Sequence, residues 1–196
     1  MDFAKIPLKR SLLDALMSPL CIDLIALYLE LSDWEMVRKI AIENNLAQKN
    51  VLSSRKRFIT EALARVRTLS GNELHEFHTL NTDEKKLLLW IALCRSNLIV
   101  AAFGFYLLHE GARLGKTSVS KSDYESFYMH LCDEHAEFKD QSDSYHKLLR
   151  RRIFSSARQA GLLAPRTQRI QKPFLSKRLL TLFSKNQDLC LEVLPL

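Results

Sequence analysis

The sequence predicts an all-α or nearly all-α fold, and three observations carry that expectation. Apolar residues recur at spacings of three and four along most of the 196 residues, while strict alternation is almost absent. Ser, Thr and Asn stand repeatedly just before these periodic stretches, where helix N-caps belong. Only five Gly and five Pro are available for the tight turns that an all-β chain of this length needs. At 47% hydrophobic and 26% charged residues the chain can bury a core, which excludes the fibrous and disordered classes.

The first helix is expected over 19–31, with Ser18 as N-cap and Pro19 at the first position, where its missing N–H costs nothing. Ser32 and Glu35 form a capping box for a second helix, which gathers Trp34, Val37, Ile40 and Ala41 on one side and ends near Asn44-Asn45. Ser53 or Ser54 opens a longer helix to Leu69, its apolar stripe formed by Phe58, Ile59, Ala62, Leu63, Val66 and Leu69. Ser70-Gly71-Asn72 breaks it, and a short helix over 73–80 follows. Asn81 with Glu84 boxes a helix over 85–94. Ser96 restarts a helix to about Leu114, where Gly115 supplies a left-handed cap. The run "LIVAAFGFYLL" inside it is 11 residues long, against roughly 20 for a bilayer span, so it reads as a buried core helix.

Ser122 with Glu125 is expected to box the next helix, which is rich in Tyr124, Phe127, Tyr128 and Leu131. Ser142 or Ser144 opens the stretch "YHKLLRRRIFSSARQAGLL", closed by Gly161. Residues 167–172, "TQRIQK", read as a short strand or ordered loop between Pro165 and Pro173. A helix follows over 175–183, and residues 188–194 are open between helix and strand. The polar stretch 116–121 marks a soft boundary between a helical N-terminal domain, residues 1–115, and a basic C-terminal domain, residues 116–196; a single compact unit is the alternative.

Cys21, Cys94, Cys132 and Cys190 are far apart, with no Cys-x-x-Cys pair, and read as buried hydrophobes in a reducing compartment. Lys5, Lys9 and Arg10 before an apolar stretch imitate a secretion signal, but Asp14 and Asp23 interrupt it, so a cytoplasmic start is expected. His75 with His78, and His130 with His135 around Cys132, match no metal-ligand pattern. Gly-rich phosphate loops, a nucleophile elbow and a His-Glu-x-x-His helix are missing from the sequence. No enzymatic activity, cofactor or metal is expected.

Charge is the informative feature. Of the net +7, the excess sits in residues 139–196, with 12 Lys+Arg against 4 Asp+Glu, while residues 1–138 hold 17 against 18. Clustered cations favour a polyanion partner because binding releases its counterions. At about 100° per residue, Tyr145, Leu148, Leu149, Ile153, Ala157 and Ala160 share one arc of the basic helix, with Lys147, Arg151 and Arg158 opposite and Arg150 at the flank. Arg152 falls inside the apolar arc. Its stem either lies along the core with the head at the edge, or pairs with an acidic residue from another helix. A basic helix, then a short basic stretch, then a helix opening at Ser176 resembles the recognition helix and wing of winged helix-turn-helix proteins. A second basic group, Arg55, Lys56 and Arg57, opens the third helix against its dipole.

The series "WEMVRKIAIENNLAQKN", "LSSRKRFITEALARV", "EKKLLLWIALCR" and "LLRRRIFSSARQAGLL" resembles the BrxA family, the small helical, NusB-like component of BREX bacteriophage-exclusion systems. The resemblance spans about residues 20–163 and contains no catalytic motif. It implies a helical bacterial cytoplasmic protein without enzymatic role, working beside a DNA methyltransferase, an ATPase and other BREX components, and with affinity for double-stranded DNA.

Together these readings predict a double-stranded-DNA binder of low sequence specificity. Lys147, Arg150, Arg151 and Arg158 would meet phosphates, with Arg169, Lys172, Lys177 and Arg178 on the wing or the following helix. Arg55, Lys56 and Arg57 join only if the fold brings them to the same side. An adaptor docking on an acidic BREX subunit and an RNA binder are the rival readings, the latter disfavoured by the few aromatics in the basic region.

Overall fold

The computed structural model describes residues 3, 6–8, 12–139, 141–185 and 190–196, and in these the regular secondary structure is helical apart from isolated β-bridges. Lys5, Lys9, Arg10 and Asp188 lie outside the described residues. Helices α1 (Ser18–Leu31), α2 (Trp34–Glu43), α3 (Leu52–Val66), α4 (Gly71–Phe77) and α5 (Thr82–Ser96) form the first group, with α3 packed on α1, α2 and α5. Then α6 (Leu98–Phe103) runs through a π-helical turn, Gly104–His109, into α7 (Glu110–Arg113). Helix α8 (Lys121–Glu134), a 3-10 turn (Ala136–Phe138), α9 (Asp143–Gln159) and α10 (Lys177–Lys185) complete the order.

Helix α5 is the central element. Its residues from Leu87 to Cys94 are all buried, as expected of a helix that is apolar on every side. The hydrophobic cluster around it extends from Ile6 to Leu194, and α9 packs directly on α5, so residues before and after 115 share this core. No single helix among the described residues is long and apolar enough to cross a membrane. The pair Thr82–Ser96 and Leu98–Arg113 has the composition but bends by 119° at Asn97, and its apolar residues belong to the core.

Several caps differ from expectation for identifiable reasons. Asn81 and Glu84 do form the capping box of α5, and Gly115 and Gly161 take left-handed φ values of 81° and 76°. Ser18 is the first residue of α1 rather than its cap; Met17 holds the cap position at φ 57° and offers no side-chain acceptor. Asp33, not Ser32, caps α2 by accepting from the N–H groups of Glu35 and Met36, while Ser32 closes α1 in the left-handed region. Neither Ser53 nor Ser54 caps α3, whose cap position is Val51, and α3 stops at Val66. Ser70 boxes α4 with Glu73. Ser120 with Asp123 boxes α8 in place of Ser122 with Glu125, because the buried Val119 anchors the chain two residues earlier. Ser142 is the cap of α9.

The helix expected from Ser96 to Leu114 is interrupted at its middle. Trp90 Nε1 donates to the Val193 carbonyl at 3.2 Å, and His109 Nδ1 lies 2.8 Å from the Leu194 carbonyl, so the C-terminal segment lies across the π-helical turn. A Cβ on Gly104 would sit 2.9 Å from Val193 Cβ, so only glycine admits this crossing. Residues 190–193 form a turn rather than a helix or strand.

Candidate functional site

The basic helix has the predicted two-sided character. Leu149, Ile153, Phe154 and Ala157 of α9 are buried, while Lys147 and Arg151 are exposed on the other side. Phe154 is locked by edge contacts with Phe103 and Tyr124, at centroid distances of 5.3 and 5.9 Å. Arg152 points inward, and its guanidinium donates to the Leu12 carbonyl. Its stem follows the core as in the first reading, and its head rests on a backbone carbonyl, with no partner carboxylate among the described residues. Gln159 accepts from the Leu16 N–H at 3.0 Å, so the inner side of α9 also fastens the segment leading into α1.

Three short extended segments stand beside α9. Residue Ser118 bridges Arg169, and Leu163 bridges Ile170, both antiparallel. Backbone bonds from Val119 N–H to the Gln168 carbonyl, from Ile170 N–H to Thr117 and from Gln171 N–H to Leu162 tie the segments together. Residues 167–172 are thus an ordered extended stretch. Gln168 turns the chain at φ 52°, an unusual value for a side chain this long. The chain order through this region is helix, extended segment, α8, α9, extended segment, turn, extended segment.

Between α9, the start of α8 and the Gln168 turn lies an open groove of about 870 Å³. Its cations are Lys121, Lys147, Arg150, Arg151 and Arg158, and among the described residues no carboxylate lines it. Two of these cations are held in place. Arg150 is ion-paired with Glu125 from α8, and Arg158 donates to the Gln168 side-chain amide at 3.3 Å. Lys147 and Arg151 have no ion pair or hydrogen bond among the described residues, so their charge is directed at solvent. From Ser144 to Gln187 the sequence has 11 Lys+Arg and no Asp or Glu, and Asp143, four residues before Lys147, is the acidic residue of α9.

The rim of the groove carries its own electrostatic signature. Lys116 and Ser120 hydrogen-bond the Asp123 carboxylate, holding its pKa down to about 2 and fixing the start of α8. His146 stacks on Tyr128 at 4.0 Å, and burial lowers its pKa; its Nε2 stands 3.5 Å from Glu125, the carboxylate that also holds Arg150.

The remaining predicted residues do not line this groove. Arg169 and Lys172 are exposed on the third extended segment next to it. Lys177 and Arg178 begin α10 on another part of the fold, where Arg178 is paired with Glu76 of α4 and Ser176 donates to Glu84 of α5. Arg55 donates to the carbonyls of Ile42 and Lys49, so it serves as a C-terminal cap for α2, while Lys56 and Arg57 are exposed. Arg65 further along α3 is buried, donating to Ala15, Asp14 and Glu61. Sequence reasoning missed Lys121, Thr167 and Gln168. Lys121 follows the true cap Ser120, and recognising that cap would have pointed to it.

Fold and groove together define an all-α protein with a cationic groove, in which Arg150 is ion-paired and Lys121, Lys147, Arg151 and Arg158 have no ion pair among the described residues. No cluster of three or more metal-ligating side chains occurs among the described residues. Residues 16–187 match the BrxA family model, and the chain belongs to the BrxA family, a non-catalytic accessory family of BREX phage-defence systems. A search of curated proteins returns no match. The crystal structure of an uncharacterized protein from Magnetospirillum magneticum superposes with a TM-score of 0.76 at 16% identity, covering 93% of this chain and 95% of that chain. At that identity the likeness shows the fold alone.

Proposed function

We propose that the protein binds double-stranded DNA through the groove beside α9, as an accessory component acting in the cytoplasm with the BREX methyltransferase and ATPase. The observation that carries this reading is the pair Lys147 and Arg151, two exposed cations with no ion pair or hydrogen bond among the described residues, on a groove whose described lining holds no carboxylate. Such a surface gains free energy by displacing counterions from a phosphate backbone. The chain order around the groove supports a winged helix-turn-helix arrangement, with α9 as the helix facing DNA and the Gln168 turn as the wing. In that arrangement Arg169 and Lys172 extend the phosphate contacts along the wing. Low base specificity follows because the groove offers one amide, Gln168, among its cations, and that amide already accepts from Arg158.

Fluorescence anisotropy with matched duplex DNA, single-stranded DNA and RNA at several salt concentrations tests the reading. Duplex preference with a steep salt dependence is the expected result. Equal weak binding to all three would overturn it and turn attention to an acidic protein partner.

A further inference from the structure

The groove is deeper and more apolar than a phosphate track needs. Its lining includes Val119, 2% exposed, Phe154, 7% exposed, and the half-buried Leu148, below the cationic rim. A duplex turns phosphates and sugars outward and keeps its base faces stacked inside, so it offers no flat apolar surface to these side chains. About 870 Å³ falls within the range of small-molecule pockets, which combine an apolar lining with a few placed polar groups. Here those polar groups are Arg150, held by Glu125, Arg158, held by Gln168, and the hydroxyls of Ser118, Ser120 and Thr167. Phe154 cannot swing away, since Phe103 and Tyr124 hold its ring.

We infer that this groove also takes a free nucleoside phosphate, its base over Leu148 and the accessible edge of Phe154 and its phosphates on Lys147, Arg151 and Arg158. Binding of the nucleotide depends only on the groove. Its consequence, displacement of duplex DNA by the nucleotide, rests on the function proposed above and makes the ligand a regulator of that site.

The test uses the full chain and three probes: adenosine, inorganic tripolyphosphate and ATP, each titrated by isothermal calorimetry without divalent metal. ATP is expected to bind roughly tenfold or more tightly than tripolyphosphate, the increment of one base stacked on an aromatic surface, and adenosine only weakly. Ser144→Trp, which fills the groove from an exposed position on α9, is expected to abolish the difference between ATP and tripolyphosphate while circular dichroism stays unchanged. Equal affinity for ATP and tripolyphosphate, or no binding of either, overturns the inference whatever the DNA result. If ATP binds with the expected preference but duplex DNA does not bind at all, the pocket stands and the DNA function falls. If both bind, ATP is expected to release labelled duplex at lower concentration than tripolyphosphate does.

Discussion

Removing two of the three unpartnered groove cations by Lys147→Ala and Arg151→Ala, leaving Lys121 in place, gives the sharpest test of the groove. Five cations line it and Arg169 and Lys172 extend the contacts along the wing, so full engagement of a duplex would give a log-log salt slope of about −6.3, at about 0.9 per neutralised phosphate. Affinity would then fall about 6000-fold between 50 and 200 mM salt. The double variant loses two contacts, so its slope should be about −4.5 and the same salt change should cost only about 500-fold. Both side chains are exposed and make no protein contacts of their own, so thermal stability should stay within about 0.5 kcal/mol of the parent. Lys177→Ala, on α10 and outside the groove, serves as the control and should leave the slope unchanged. Anisotropy titrations of one duplex at four or five salt concentrations read all three slopes. A double variant with the parent slope, or a Lys177→Ala variant that loses as much, would refute the assignment of phosphate contacts to this groove.

Three further outcomes probe the scaffold. Gly104→Ala should destabilise the fold by about 1–3 kcal/mol in urea denaturation, because the added methyl meets Val193 Cβ at 2.9 Å and the C-terminal segment must shift; an unchanged midpoint would mean that the segment is not seated there. Glu73→Ala should cost about 3–5 kcal/mol, since Arg95, whose side chain is 9% exposed, loses two carboxylate bonds of 2.8 and 2.9 Å and α4 loses its box. Asp123→Asn should lower stability at neutral pH by about 1 kcal/mol, because the α8 box loses its charged N3 acceptor and Lys116 its ion-pair partner while the Ser120 cap remains. Because the folded-state pKa of Asp123 lies below its unfolded value, that contribution is complete above the unfolded pKa and disappears as pH falls toward about 2. Stability curves of parent and variant should therefore converge in acid, and a constant gap down to pH 2 would contradict the assigned cause.

Capping shows where local reading succeeds. Asn81 with Glu84 was legible because both halves of the box lie within four residues of one helix start. At Ser32 and Ser122 the same pattern pointed to the wrong residue. Asp33 and Ser120 were equally good caps, and the choice between them depended on where α1 ended and on Val119 being buried. The site divides in the same way. The cationic ridge of Lys147, Arg151 and Arg158 follows from helical period alone, since one helix face is a local property. Which other cations join it does not: Arg55 is consumed by carbonyls of α2, and Arg178 by Glu76 of α4.

The sequence by itself determined that the chain is helical, that its basic residues gather in the last third, and that α9 has one buried and one cationic side. Periodicity and charge counts are properties of neighbouring residues, so they need no knowledge of the rest of the chain. Only the tertiary structure decided that the Gln168 turn and the start of α8 close a groove against α9, and that Phe154 and Val119 line it. It also decided that the C-terminal segment interrupts the helix at Gly104. These depend on contacts between residues tens of positions apart, and such contacts are chosen by packing the whole core at once rather than by any local preference.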